Sequence, residues 1–309
     1  MTDIIEHLTL RNPAQIADQI ESFLAGQVRC QHRDGAILGL SGGVDSALSA
    51  FLAVRALGAA NVSLLFLPES YTNPTSKRDA MSVASMLGIR LQTISISPLL
   101  LAMRARGLTR GGLLFPRPIQ ERYVRRRSVA MQGDQPSILI RALRGGDGVA
   151  ELRSSNAYLR MKTRLRMMLC YYWGEYRNQL VVGNDNLSEN MTGLFCRYGD
   201  AGSDVDLIAG LYKTQVFQLA RWIGVPDTIV DKPPSPDLLP GMTDESTLQI
   251  RYGLLDQILW GLLHALEPQE IQQVTGATLQ QIAYVQDLIR LSAPMRSLPL
   301  APDLTEFLT

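Results

Sequence analysis

Cysteine and histidine are scarce, with three of each in 309 residues. Cys30, Cys170 and Cys196 form no CxxC pair and have no histidine at metal-ligand spacing, which argues against a zinc site or a disulfide framework and leaves structural thiols. His7, His32 and His264 are isolated from one another, so no histidine acid–base chemistry is expected. The stretch from Met1 to Gly26 lacks the basic start and apolar run of a signal peptide, and no apolar run is long enough to cross a bilayer; a cytoplasmic location follows. Only 19% of residues are charged and 46% are hydrophobic, the composition of a globular chain able to bury a sizeable core.

The net charge of +1 hides an asymmetry. From Ala102 to Arg166 there are fifteen Lys or Arg against four acids, Glu121, Asp134, Asp147 and Glu151. Runs such as Arg125-Arg126-Arg127, interrupted by Gly111-Gly112 and Gly145-Gly146, read as a mobile or loop-rich basic insertion at about 102–155. Its function would be that of a lid or a docking surface for an anion, against the alternative of a merely solvated segment.

The most informative stretch is Gly39-Leu40-Ser41-Gly42-Gly43-Val44-Asp45-Ser46. It follows the apolar run Ala36 to Leu38, a buried strand, and precedes Leu48 to Val54, which has helical spacing. A strand, a glycine-rich turn and a helix make a phosphate site: Gly39, Gly42 and Gly43 permit unusual backbone angles and close ligand approach, and the helix end presents free N–H groups. Ser41 and Ser46 add hydroxyls. No Lys follows the glycines, so the loop is not of the GxxxxGK[ST] type, and Asp45 is placed to hold a divalent cation against the phosphates.

Further strand-then-helix units follow. Val62 to Leu67 reads as a strand, Ser76 to Leu87 as a helix and Arg90 to Ile96 as an alternating strand. Ala157 to Trp173 has helical spacing, and Gln179 to Gly183 is a buried strand leading into Asn184-Asp185-Asn186. The expected fold is α/β, a Rossmann-like parallel sheet flanked by helices, with ligands at the carboxyl ends of its strands. The last third is mainly helical, at Lys213 to Gly224, Leu254 to Leu266 and Thr278 to Leu291, and the proline-rich Lys232 to Gly241 is a loop.

The Ser41 loop resembles the SGGxDS pyrophosphate loop of ATP pyrophosphatases, which activate a substrate as an adenylate. Val182 to Glu189, Phe195 to Asp204, Gly210 to Val216, Lys232 to Ser235 and Thr243 to Glu245 narrow the resemblance to ammonia-dependent NAD synthetases, from about Ile16 to about Pro302. The resemblance implies one NAD synthetase-like domain over 1–309 with the adenine nucleotide alpha hydrolase-like fold. It also implies a reaction: a carboxylate, most simply that of deamido-NAD, is adenylated by ATP with Mg²⁺, and ammonia then displaces AMP to give the amide. On the family's positions, residues 39–46 with Asn184, Lys213 and Ser235 would bind ATP, and Asp45 and Glu189 would bind the metal. Arg164, Arg197 and Asp204 would bind the dinucleotide.

The acceptor half departs from the family pattern. Ser292-Ala293-Pro294-Met295-Arg296 stands where the family commonly carries Ser-Ala-His-Lys-Arg, and Leu159-Arg160 replaces a Gly-Asn pair before Lys162. A relative that amidates another carboxylate is the alternative, and an RNA-modifying pyrophosphatase a weaker one, since the reactive Cys and the aromatic RNA-binding signature are missing. No glutaminase nucleophile, base and orienting acid is evident, so free ammonia or a separate glutaminase would supply nitrogen. A homodimer is implied by the resemblance, with no membrane partner.

Overall fold

Three apolar runs pair at the centre of a five-stranded parallel sheet in the computed structural model of the chain, which describes residues 4–103, 115–297 and 302. The strands are β1 (Gly35–Gly39), β2 (Val62–Phe66), β3 (Gln92–Thr93), β4 (Gln179–Gly183) and β5 (Val205–Asp206), in the order β3-β2-β1-β4-β5. Leu38 of β1 registers with Leu64 on one side and Val182 on the other. Successive side chains point to opposite faces, so Ala36, Leu38, Leu64, Phe66, Leu180 and Val182 enter one cluster while Ile37, Leu65 and Val181 enter another. A sheet buried on both faces needs such continuous apolar runs.

The helices are numbered along the chain, beginning with α1 (Ile4–Leu8). The first face is covered by α2 (Pro13–Cys30), α3 (Val44–Leu57), α4 (Pro74–Met86), α10 (Lys213–Ile223) and α11 (Asp227–Val230). The second is covered by α5 (Ser97–Ala102) and the long α8 (Ala150–Tyr176). A third cluster joins α1 and α7 (Ile138–Leu143) to α12 (Asp244–Leu248), α13 (Tyr252–Leu263), α14 (Pro268–Thr275) and α15 (Leu279–Arg296). The short α9 (Leu187–Thr192) links it to the sheet, and α6 (Arg117–Gln132) precedes α7.

The elements depart from the sequence reading in physically intelligible ways. The strand expected over Arg90 to Ile96 is reduced to Gln92–Thr93, because it lies at the sheet edge with one partner; Ile94 and Ile96 still donate to the carbonyls of Phe66 and Pro68. The sequence reading places no helix at α2, although Asn12 caps it through the Gln15 N–H at 3.2 Å and Pro13 opens it. The insertion read as loop-rich is helical over most of its described length. Val124 and Met131 are buried, Arg117 donates to the Tyr71 carbonyl at 3.0 Å, Arg127 pairs with Glu151, and Ser137 caps α7. Its remainder, with Gly111 and Gly112, lies outside the described residues.

Of the three loop glycines, only Gly42 has a positive φ, at +82°. A Cβ there would also lie 2.3 Å from the Ser76 carbonyl oxygen, whereas at Gly39 it would make an ordinary 3.8 Å contact with Cys170. Gly42→Ala is therefore expected to cost at least about 2 kcal/mol in urea unfolding, and Gly39→Ala less than about 1 kcal/mol. Equal losses would mean that the close approach of the loop to α4 is not required.

Candidate active site

The connections leave β1 towards one side of the sheet and β4 towards the other, so a crevice opens between their carboxyl ends. A cavity of about 570 Å³ fills it, within the size range of small-molecule sites. The loop after β1 lines it with Ser41, Asp45 and Ser46, and the loop after β4 with Asn184, Asp185 and Glu189. α8 adds Arg160, Thr163 and Arg166, the proline-rich loop adds Ser235, and α6 adds Arg117 and Glu121.

Beside the cavity, Lys213 is 1% exposed and its ammonium donates to Asp45 Oδ2 at 2.6 Å and to Glu189 Oε1 at 3.0 Å. Asp45 opens α3, Glu189 opens α9 and Lys213 opens α10, so one ion group joins three helix N-termini. Burial alone would lower the Lys213 pKa, but Asp45, Glu189 and Asp244 outweigh it and hold the ammonium protonated. The reverse holds for Glu189: burial raises its carboxyl to about 8, with Lys213 opposing and Asp45 and Asp244 reinforcing the shift. Tyr252 donates to Asp244 at 3.1 Å, and the Lys213 ammonium lies 5.3 Å from the Tyr252 ring centre. Asp185 Oδ2 is buried without a hydrogen-bond partner, and burial with neighbouring acids pushes that carboxyl well up. Carboxyl groups thus outnumber ammonium groups here, and burial favours the protonated form of Glu189 and Asp185.

The other expected ATP-binding residues, all but Gly42, line the cavity. Ser41 and Ser46 share a hydroxyl contact of 3.0 Å, and Ser46 accepts from the Ser41 N–H while donating to the Gly43 carbonyl, which preforms the loop. Asn184 Nδ2 donates to the Gly39 carbonyl at 3.3 Å and leaves Oδ1 unpaired. Ser235 Oγ is turned to the Met242 carbonyl at 2.6 Å. Arg164, Arg197 and Asp204 do not line the cavity. Arg164 donates to the Arg197 carbonyl at the surface, and Arg197 reaches the Ser297 carbonyl. Asp204 accepts from the Val181 N–H and the Tyr171 hydroxyl.

Three residues that hold this arrangement were not singled out from the sequence. Asn186 caps α9 through the Glu189 N–H and donates to Asp45 Oδ1 at 2.9 Å, so it sets both carboxylates. Its Asn-x-x-Glu spacing is a capping-box signal legible in the chain. Asp256, fully buried on α13, accepts from Ser188 Oγ at 2.5 Å and from the Thr214 N–H at 2.8 Å. Because Ser188 Oγ also accepts from the Lys213 N–H, Asp256 sets α9 against α10; no local pattern announces so distant a contact. Lys232 ties the proline-rich loop to the Gly42 carbonyl at 2.5 Å and to Asp79 at 2.6 Å.

Comparison with known proteins decides the family. The sequence profile of NAD synthase matches residues 16–116 and 145–299. The chain belongs to the NAD synthase family. Within that family it is 38% identical over 262 residues to the NH(3)-dependent NAD(+) synthetase of Thermotoga neapolitana, covering 83% of this chain and 89% of the relative. The enzyme of the same name from Methanocaldococcus jannaschii is 35% identical over 290 residues, covering 94% and 97%. Among solved structures, NMN synthetase from Francisella tularensis superposes with a TM-score of 0.70 at 26% identity, covering 94% of this chain and 98% of that one. NH3-dependent NAD synthetase from Campylobacter jejuni superposes at 0.67 with 21% identity, over 95% and 100%, and shares the fold. The stretch that the NAD synthase profile leaves unmatched, 117–144, is α6 and α7.

Asp256 supplies a test of this scaffold. Burial raises its carboxyl from 3.8 to about 6, against the hydrogen bonds from Ser188 and Thr214. A raised acid stabilises the fold below its unfolded pKa, and that contribution is lost as pH rises through the folded value. Wild type should therefore lose on the order of 3 kcal/mol from this group between about pH 4 and pH 6.5. Asp256→Asn, measured by urea unfolding across that range, should show a correspondingly shallower slope; an unchanged slope would mean Asp256 is not shifted.

Proposed function

We propose that the chain catalyses ATP-dependent amidation of a carboxylate, with deamido-NAD as acceptor and ammonia as nitrogen donor. The observation that carries this reading is the Lys213–Asp45–Glu189 group set against the preformed Ser41 loop at the mouth of the sheet. In the first step the acceptor carboxylate oxygen forms a bond to the α-phosphorus of ATP, and the bond to the bridging oxygen breaks to release pyrophosphate. Ammonia then adds to the acyl carbon, the carbon–oxygen bond to AMP breaks, and the nitrogen gives up a proton. Loop N–H groups, the Ser41 and Ser46 hydroxyls and the α3 N-terminus would hold the leaving phosphates, with Asn184 and Ser235 beside the nucleotide.

The donor set fits a divalent cation. Mg²⁺ takes one or two carboxylates and completes its shell with phosphate and water, and Asp45 with Glu189 would be its ligands. When bound it would supply charge neutralisation on the phosphates. Lys213 meanwhile keeps both carboxylates aligned and would contribute positive charge towards the triphosphate. Two carboxyl groups converging on one buried ammonium beside the cavity, with Asp185 Oδ2 buried and unpartnered nearby, support that assignment.

Arg164, Arg197 and Asp204 are assigned to an acceptor surface outside the ATP cavity. Beside Arg164, α8 exposes Met168, Tyr172 and Tyr176 at i, i+4 and i+8, with Tyr198 also exposed next to Arg197. A second copy of the chain pairing along this stripe would enclose the acceptor, in a homodimer of one-domain subunits. No helix among the described residues is long and apolar enough to cross a membrane, and a cytoplasmic enzyme is the reading we adopt.

A second acceptor has one observation in its favour. The neighbour from Francisella tularensis is an NMN synthetase, and the His-Lys pair common in the NAD synthetases is replaced here by Pro294-Met295. Nicotinate mononucleotide, the corresponding acid, is therefore the alternative.

Incubation with ATP, Mg²⁺, ammonia and either acceptor should yield equal amounts of amide, AMP and pyrophosphate. ADP and phosphate would contradict the assignment. Asp45→Asn should lower kcat at least about a hundredfold at a temperature where the variant is still folded, with a melting temperature below wild type because Lys213 loses a partner; retained turnover would remove Asp45 from the metal site.

A further inference from the structure

Four basic residues line the cavity among the described residues: Arg117, Arg160, Arg166 and Lys232. Three are already engaged. Arg117 donates to the Tyr71 carbonyl and pairs with Glu121 at 3.1 Å, Arg166 donates to the Leu67 carbonyl at 3.1 Å, and Lys232 is shared between Gly42 and Asp79. Arg160 differs. Its carbonyl accepts from Thr163 Oγ1 at 2.9 Å and from the Cys196 thiol at 3.7 Å, which fixes its backbone. Its guanidinium has no hydrogen bond or ion pair among the described residues.

Position separates Arg160 from the ATP phosphates. Cys170 lies against the end of β1, where a Cβ on Gly39 would touch its sulfur. Arg160 is ten residues earlier on the same helix, about 15 Å along its axis. It is also one turn before Arg164, whose guanidinium sits on the surface beside Arg197. Arg160 therefore lies farther along α8 from the phosphate loop than Arg164 does, and on the cavity wall next to the surface assigned to the acceptor. An arginine on the cavity wall whose guanidinium makes no hydrogen bond or ion pair among the described residues is available to an anionic ligand, and its planar fork suits phosphate oxygens in a bidentate contact.

We propose that Arg160 is a specificity residue that binds a phosphate of the acceptor nucleotide. The proposal rests on the amidation reading above. It gives this chain a cation at the position where the NAD synthetase pattern has a neutral Asn. The arginine within the altered tail is already engaged, since Arg296 donates to the Asn190 and Met191 carbonyls and to Ser292, closing the end of α9.

The experiment is steady-state kinetics of wild type, Arg160→Leu and Arg160→Lys with deamido-NAD and with nicotinate mononucleotide, following AMP. Since the Arg160 guanidinium makes no bond among the described residues, Arg160→Leu should melt within a few degrees of wild type. Its acceptor KM should rise roughly ten- to a hundredfold, with the ATP KM changed less than about twofold and the salt dependence of the acceptor KM flattened. Arg160→Lys should fall between the two. An unchanged acceptor KM, or an ATP KM that rises equally, would overturn the role of Arg160 while leaving amidation intact. Failure of wild type to use either acceptor would instead overturn the amidation reading, and Arg160's role with it.

Discussion

One buried ammonium determines the geometry of the site. Lys213 bonds Asp45 and Glu189, and through them fixes the N-termini of α3, α9 and α10, which descend from different parts of the sheet. A lysine at the first position of a helix opposes the helix dipole, so its place there is unfavourable unless carboxylates compensate. They do so in a largely dehydrated setting, where losing one partner of a buried pair typically costs about 3–5 kcal/mol. The same constraint orders the surroundings: Asn186 orients Asp45, Asp256 and Ser188 anchor the backbone at Lys213, and Tyr252 covers the ammonium.

Much of this was legible in the chain because it is local. The apolar runs at Ala36, Val62 and Gln179 each became a strand, and the Ser41 and Asn184 loops fell at their carboxyl ends as expected. Glu189, expected from the resemblance as a metal ligand, also completes a capping box with Asn186 while its other oxygen receives Lys213. What the sequence did not disclose is long-range. The Lys213 contact to Asp45 spans 168 residues, and Asp256 reaches Thr214 over 42. Nothing in the spacing of residues indicates which distant side chains will meet.

The basic insertion and the altered tail illustrate the same limit. Arginine density and flanking glycines suggested loops, but Val124 and Met131 supply enough apolar contact to seat α6 beside the proline-rich loop, where Gly241 approaches Glu121. Most of the charge on that helix turns outward; among its arginines Arg117 reaches the cavity, as a bonded cation. In the tail, α15 continues through Pro294, and Arg296 satisfies carbonyls at the end of the helix that carries Glu189. The support comes from Arg296, a position where the chain keeps the family's arginine, and not from the altered Pro294-Met295 pair.

On the amidation reading, this scaffold leaves the α-phosphorus of ATP open to the acceptor carboxylate while holding the two outer phosphates as the leaving group. Acceptor labelled with ¹⁸O in its carboxylate tests it directly, by mass spectrometry of all products after turnover with ATP and ammonia. One labelled oxygen should pass into AMP and the other remain in the amide. Label in pyrophosphate or phosphate, with none in AMP, would contradict attack at the α-phosphorus and with it the role given to the Ser41 loop and the Lys213 ion group.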